Sequence, residues 1–104
     1  MGDVAQVEET VKRLSSQKGV VGVLIVNEAG VPIRSTLDPE ASVQYGSMAA
    51  QLARQARGMV RAAAPEDELD FVRVRSKRRE VMVAPCYDRG QKLSLVVVQD
   101  PNTE

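Results

Sequence analysis

The stretch Val20 to Val26 reads VVGVLIV and holds no polar residue. A strand of that kind is buried on both faces. It therefore needs a layer above it and a layer below it, and everything else in the chain is read by how it meets that demand. Two helical stretches flank the strand in sequence, and one on each side of a sheet supplies the cover.

The strand leads through Asn27-Glu28-Ala29-Gly30, a turn with Gly30 free to take positive φ. Val31 to Leu37 then alternates, with Val31, Ile33, Ser35 and Leu37 one way and Pro32, Arg34 and Thr36 the other. Residues 20–37 thus form a hairpin, and Pro32 places its second strand at an edge or begins it there. Before the hairpin, Val7, Val11 and Leu14 recur at helical spacing in a first helix over 3–18, with Asp3 as N-cap and Gly19 as stop.

The long helix spans 39–64, and its body from Glu40 to Ala64 is about 37 Å if fully helical. Asp38 caps it, Pro39 fits its first position and Pro65 ends it. Tyr45, Met48, Ala49, Leu52, Ala56, Met59, Val60 and Ala63 make its apolar stripe. Gln51, Arg54, Gln55, Arg57 and Arg61 fill the opposite side. So much alanine in the stripe predicts close approach by a neighbour. Gly46 and Gly58 sit inside the helix, read either as tolerated or as points of close backbone contact.

Three strands occupy 68–99: Leu69 to Arg75, Glu80 to Ala84 and Leu93 to Gln99. Ser76 to Arg79 and Tyr87 to Gly90 are turns between them, and 100–104 is a polar tail. The fold class is α+β, ordered α-β-β-α-β-β-β, an antiparallel five-stranded sheet in a single domain over 1–104.

Composition removes several function classes. Fourteen basic residues balance 14 acidic ones, so a general electrostatic grip on nucleic acid or anionic membrane is not expected. The chain has no histidine, the commonest general base and metal ligand. One cysteine allows no internal disulfide, and no apolar run approaches the ~20 residues of a membrane helix. The N-terminus carries neither a signal pattern nor a myristoylation pattern. A soluble cytosolic protein is expected.

No constellation for catalysis appears. Cys86 has no histidine to activate it and reads as a small packing residue. The glycines fit no phosphate-binding motif, and Glu66, Asp67, Glu68 and Asp70 lack metal-site spacing. No cofactor and no metal are expected, and the chain is read as a non-enzyme. The strongest charge feature is Arg73, Arg75, Lys77, Arg78 and Arg79. Its ordinary reading is a solvated edge that deters aggregation. Its functional reading is a docking patch for an acidic segment. Acids at one end of Leu69 to Arg75 and bases at the other would oppose each other if the strand paired with a second copy. The residues alone thus describe an interaction domain that self-associates.

The segment Val7 to Asp38 resembles the N-terminal half of the roadblock family of dynein light chains. The residues that carry the likeness are Glu8-Glu9-Thr10, Lys18-Gly19, Val20 to Val26, Asn27 to Gly30 and Val31-Pro32-Ile33-Arg34-Ser35-Thr36. Leu69 to Lys77, Glu80 to Pro85 and Val97 to Pro101 resemble the family's later strands and exit, so the likeness runs in register along nearly the whole chain. Two places depart from it: the Cys86 to Ser94 connection is longer than the pattern and lacks its acidic–aromatic run, and the long helix is richer in alanine and arginine.

The resemblance implies a dimer with itself or a paralogue, paired through the second helix and third strand into one ten-stranded sheet. It puts Tyr45, Met48, Leu52, Ala56, Met59, Leu69, Phe71, Arg73 and Arg75 at or near the interface. It also implies a partner, a helical segment of a dynein intermediate chain, with Gln51, Arg54, Gln55, Arg57 and Arg61 as the docking surface. The role implied is that of an accessory light chain in microtubule-based movement, cytoplasmic or in the axoneme of a cilium or flagellum. The alternative within the family is a dimeric scaffold that regulates a small GTPase.

Overall fold

The structure, a computed structural model, describes residues 4–102. Asp3, expected as an N-cap, and the last two residues of the tail lie outside the described residues. The elements are α1 (Val4–Ser15), β1 (Val20–Asn27), β2 (Pro32–Ser35), α2 (Pro39–Ala63), β3 (Val72–Arg75), β4 (Glu80–Asp88) and β5 (Gln91–Gln99). The strands make one antiparallel sheet in the order β2-β1-β5-β4-β3. The expected fold class and element order are those observed.

The two central strands, β1 and β5, carry the core. Leu24, Val26, Val96 and Val98 point to one face and meet Val83 of β4 and Ala49 and Ala53 of α2. Val23, Ile25 and Leu93 point to the other face and meet Val11 of α1. The double burial read from VVGVLIV therefore holds from Val23 to Val26 and is supplied by one helix per face. Val21 is the exception, 42% exposed, because the register slips between Val20 and Gly22. A bulge residue leaves the alternation of its strand.

β2 differs from its expected alternation for the same reason. A bulge opposite Ile25 and Val26 shifts its phase. Pro32 then lies beneath α2, and Val31 and Ile33, expected on the buried side, are 54% and 39% exposed. Past the bulge the pattern resumes, and Ser35 and Leu37 face α2.

The residues Pro32 to Thr36 fasten both helices to the hairpin. Arg34 pairs with Glu8 of α1. The Ser35 hydroxyl accepts from the Leu37 N–H at 3.0 Å and lies 2.7 Å from the hydroxyl of Ser42 on α2. Ser42 in turn donates to the Asp38 carbonyl at 2.7 Å. The Thr36 hydroxyl accepts from the Val23 N–H while the Thr36 N–H donates to the Val23 carbonyl, which prolongs the ladder by a side chain.

α2 begins as expected: the Asp38 carboxylate accepts from the Ala41 N–H at 2.8 Å, with Pro39 next. It ends at a cap residue, Ala64, held extended before Pro65. β3 and the last hairpin differ from expectation. The third strand starts at Val72, not Leu69. β4 turns the N–H groups of Val81 and Val83 towards β3, and at the next such position stands Pro85, which has none. The Cys86 to Ser94 stretch is no long connection. β4 and β5 run on to Asp88 and from Gln91, joined by Arg89 and Gly90 with φ of 53° and 78°. Positive φ at both central residues is the tight hairpin turn that matches strand twist.

Candidate interaction face

α2 lies closest to the sheet along Ser42, Gly46, Ala49, Ala50 and Ala53. This corrects the predicted stripe, whose large members sit to one side. A Cβ on Gly46 would come within 2.6 Å of the Gly30 carbonyl oxygen and 3.3 Å of the Pro32 ring. The neighbour that the small residues admit is thus the chain's own hairpin and sheet. At Gly58 a Cβ would meet nothing within 4 Å, so that glycine is merely tolerated here.

Gly46 fixes which flank of α2 looks towards β2. Arg54 is on the same flank, donating from Nη1 to the Glu28 carbonyl at 3.1 Å. At about 100° per residue, Tyr45, Met48, Leu52, Ala56 and Met59 fall on the flank turned away from β2. That flank looks towards β3, the other edge of the sheet. Tyr45 and Leu52 are half-buried against the core there, as are Val72 and Val81 of β3 and β4. Met48 and Met59 are 55% and 72% exposed.

β3 adds to the same side of the molecule. Val72 and Val74 direct their backbone groups to β4, so those of Arg73 and Arg75 point off the sheet. Phe71 and Val74 are about half exposed. Arg73 stands over the Phe71 ring at 5.9 Å and pairs with Glu80 at 3.5 Å. Of the nine residues expected at the interface, the structure gathers eight along this flank and edge. Leu69 turns instead into a cleft of about 270 Å³ with Arg57, Arg61, Asp70, Tyr87 and Lys92. Val74 was missed by sequence reasoning, although its place in the alternation with Val72 marks it as a strand residue one step from a free end.

The five residues expected to dock a partner differ in exposure. Gln51, Gln55 and Arg61 are exposed, Arg54 is tied to the β1–β2 turn, and Arg57, expected on the far side of the helix, is half-buried in the cleft. Arg57 stands four residues after Ala53, one turn along the sheet-facing side, which explains its burial. The cleft mixes cations with Glu68 and Asp70 and is also lined by Cys86 and Tyr87. Among the described residues no group of three His, Cys, Asp or Glu side chains could hold a metal ion. No helix among them is long and apolar enough to cross a membrane.

The family model of the Roadblock/LC7 domain matches residues 6–99. This chain belongs to that family. A Roadblock/LC7 domain from Streptomyces avermitilis superimposes with a TM-score of 0.77 at 15% identity, over 99% of this chain and 82% of that one. MglB of Myxococcus xanthus gives 0.75 at 18% identity, over 99% and 82%. A gliding protein, MglB of Thermus thermophilus, gives 0.74 at 14% identity, over 96% and 75%. A further MglB structure, described as having a tetrameric arrangement, gives 0.74 at 14% identity, over 95% and 74%. At such identities the likeness carries the roadblock fold and nothing finer.

Proposed function

We propose that this roadblock domain is a non-catalytic accessory light chain of a dynein motor complex. It acts as a dimer and holds a helical segment of the dynein intermediate chain. Its place is the cytoplasm or the axoneme. The observation that carries the dimer is the unsatisfied edge of β3 beside the exposed Met48 and Met59. A free strand edge next to apolar surface is what pairing with a second copy would cover. The tetrameric arrangement described for one MglB structure is in keeping with self-association. The dynein partner rests on the likeness of Val31 to Thr36 and its flanking segments to dynein light chains.

The experiment is calorimetry with an intermediate-chain fragment, beside light scattering of the protein alone at micromolar concentration. A dimer that binds the fragment, with a gain of helicity in the fragment, is the expected result. A clean monomer, or a dimer that ignores the fragment, would sink the reading.

A second reading is a dimeric scaffold for a small GTPase. It is favoured by the company the fold keeps, since the neighbours above are bacterial roadblock proteins and not dynein chains. Capture of a GTPase that depends on the bound nucleotide would support it over the first.

A further inference from the structure

The two faces of the sheet are covered unequally. α2 has 25 residues and reaches β1, β2, β4 and β5. α1 has 12 residues and packs on β1, with its core contacts at Val23, Ile25 and Leu93. Five strands are about 24 Å across, and one helix covers about 10 Å of that. On the α1 side the β4–β3 half therefore has no helix over it among the described residues.

The side chains on that uncovered half follow from the register. Met82 of β4 pairs with Val97, and Ala84 pairs with Leu95, so they share the α1 face with Leu95 and Val97. Arg73 pairs with Met82 and Arg75 with Glu80, which puts both arginines on this face too. Phe71 joins them beneath Arg73. The floor is thus Met82 and Ala84, half-buried and apolar, with half-exposed Phe71 at the edge. The rim is basic. Arg73, Arg75, Lys77, Arg78 and Arg79 are all exposed, and the acid among them, Glu80, is engaged by Arg73. Glu68 and Asp70 line the cleft with Arg57 and Arg61.

The geometry points to this half of the α1 face as the docking site for an acidic amphipathic helix of a partner protein. The inference rests on the reading above, in which the partner is a helical segment, and it moves that segment from α2 to the opposite side of the sheet. An apolar floor one helix wide takes the apolar side of the segment, and Glu and Asp on its flanks meet the arginines of β3 and the β3–β4 turn. Pairing of two copies through β3 would place two such floors side by side, between the two α1 helices.

The methionines make the test direct. Met82 lies on the proposed floor, while Met48 and Met59 lie on α2, so methyl-labelled methionine reports the two faces separately by NMR. The probe is a synthetic 20-residue amphipathic helix with leucine on one side and glutamate elsewhere, titrated into the full chain. A second peptide carries lysine in place of glutamate. The glutamate peptide is expected to shift the Met82 methyl and leave Met48 and Met59 in place. Its affinity is expected to fall with added salt and to exceed that of the lysine peptide by roughly tenfold or more. R78E/R79E, outside the strands and in an exposed turn, should weaken it without changing the fold. Shifts confined to Met48 and Met59, equal binding of both peptides, or no binding would overturn the inference. An intermediate-chain fragment that binds without moving Met82 would overturn it while leaving the proposed function standing.

Discussion

Gly46 shows how one residue sets the distance between two layers. The Gly30 carbonyl and the Pro32 ring stand where its side chain would be, and α2 can settle on the hairpin only because nothing is there. Gly46→Ala should cost about 1–3 kcal/mol, since backbone, not a movable side chain, is in the way. Gly58 has free space around it, and Gly58→Ala should add about 0.5–1 kcal/mol by helix propensity alone. Urea denaturation of the pair decides the point: similar shifts in both variants would remove the close-approach explanation. The run Arg34-Ser35-Thr36 likewise has structural work in this chain, binding α1, α2 and β1 in turn. A motif that looks like a functional signature in the sequence is here also the joint that holds both helices to one hairpin.

At the scale of elements, the joint between β2 and α2 is a chain of hydrogen bonds. It runs from the Leu37 N–H through the Ser35 and Ser42 hydroxyls to the Asp38 carbonyl. Ser42 is only 6% exposed and Ser35 is half-buried, so loss of the Ser42 hydroxyl leaves the Ser35 hydroxyl, partly shielded from water, without that partner. Ser42→Ala should destabilise the domain by about 1–2 kcal/mol. Ser35→Ala should cost a similar amount, and the double variant less than the sum of the two, as for partners in one network. Strictly additive losses in thermal melts would show that the two hydroxyls act independently.

Which elements could be read in advance, and which could not, follows from the kind of signal each one carries. The apolar run of β1 and the caps of α2 are local, so Val20 to Val26 and Asp38 to Pro65 were legible almost to the residue. The rotation of α2 was not. Hydrophobicity ranks Met48 and Met59 above Ala50 and Ala53, yet the alanines and Gly46 face the sheet, because contact distance and not apolarity chooses that side. The bulge in β2 was hidden because it depends on pairing with β1. The end of β3 is set by Pro85 on the neighbouring strand, which no reading of Leu69 to Arg75 alone contains. Eight of the nine residues expected at an interface share one flank and edge, while Arg57 and Leu69 were misplaced by the same missing information about rotation and strand length.

Among the described residues the sheet has two open edges, and they differ. β2 carries a proline and a bulge, both of which discourage further pairing. β3 has neither, and it lies on the side where α2 shows Met48 and Met59 to water. A second copy set against β3 would extend the sheet and cover both methionines in one step. Met59 is 72% exposed and Met48 55% in the single chain, so charge at these positions leaves the fold of one copy undisturbed. In a dimer seam it would bury two carboxylates per copy, at a cost of several kcal/mol. M48E/M59E should therefore convert a dimer into a monomer in light scattering, with the dissociation constant raised by roughly a hundredfold or more. Its far-UV circular dichroism should match that of the parent. Leu52→Asp attacks the same seam less cleanly, because Leu52 also packs on the core and its loss confuses unfolding with dissociation. A double glutamate variant that remains dimeric at the parent's concentration would move the seam off this flank, and would leave the β2 edge, with its exposed Val31 and Ile33, as the surface to test next.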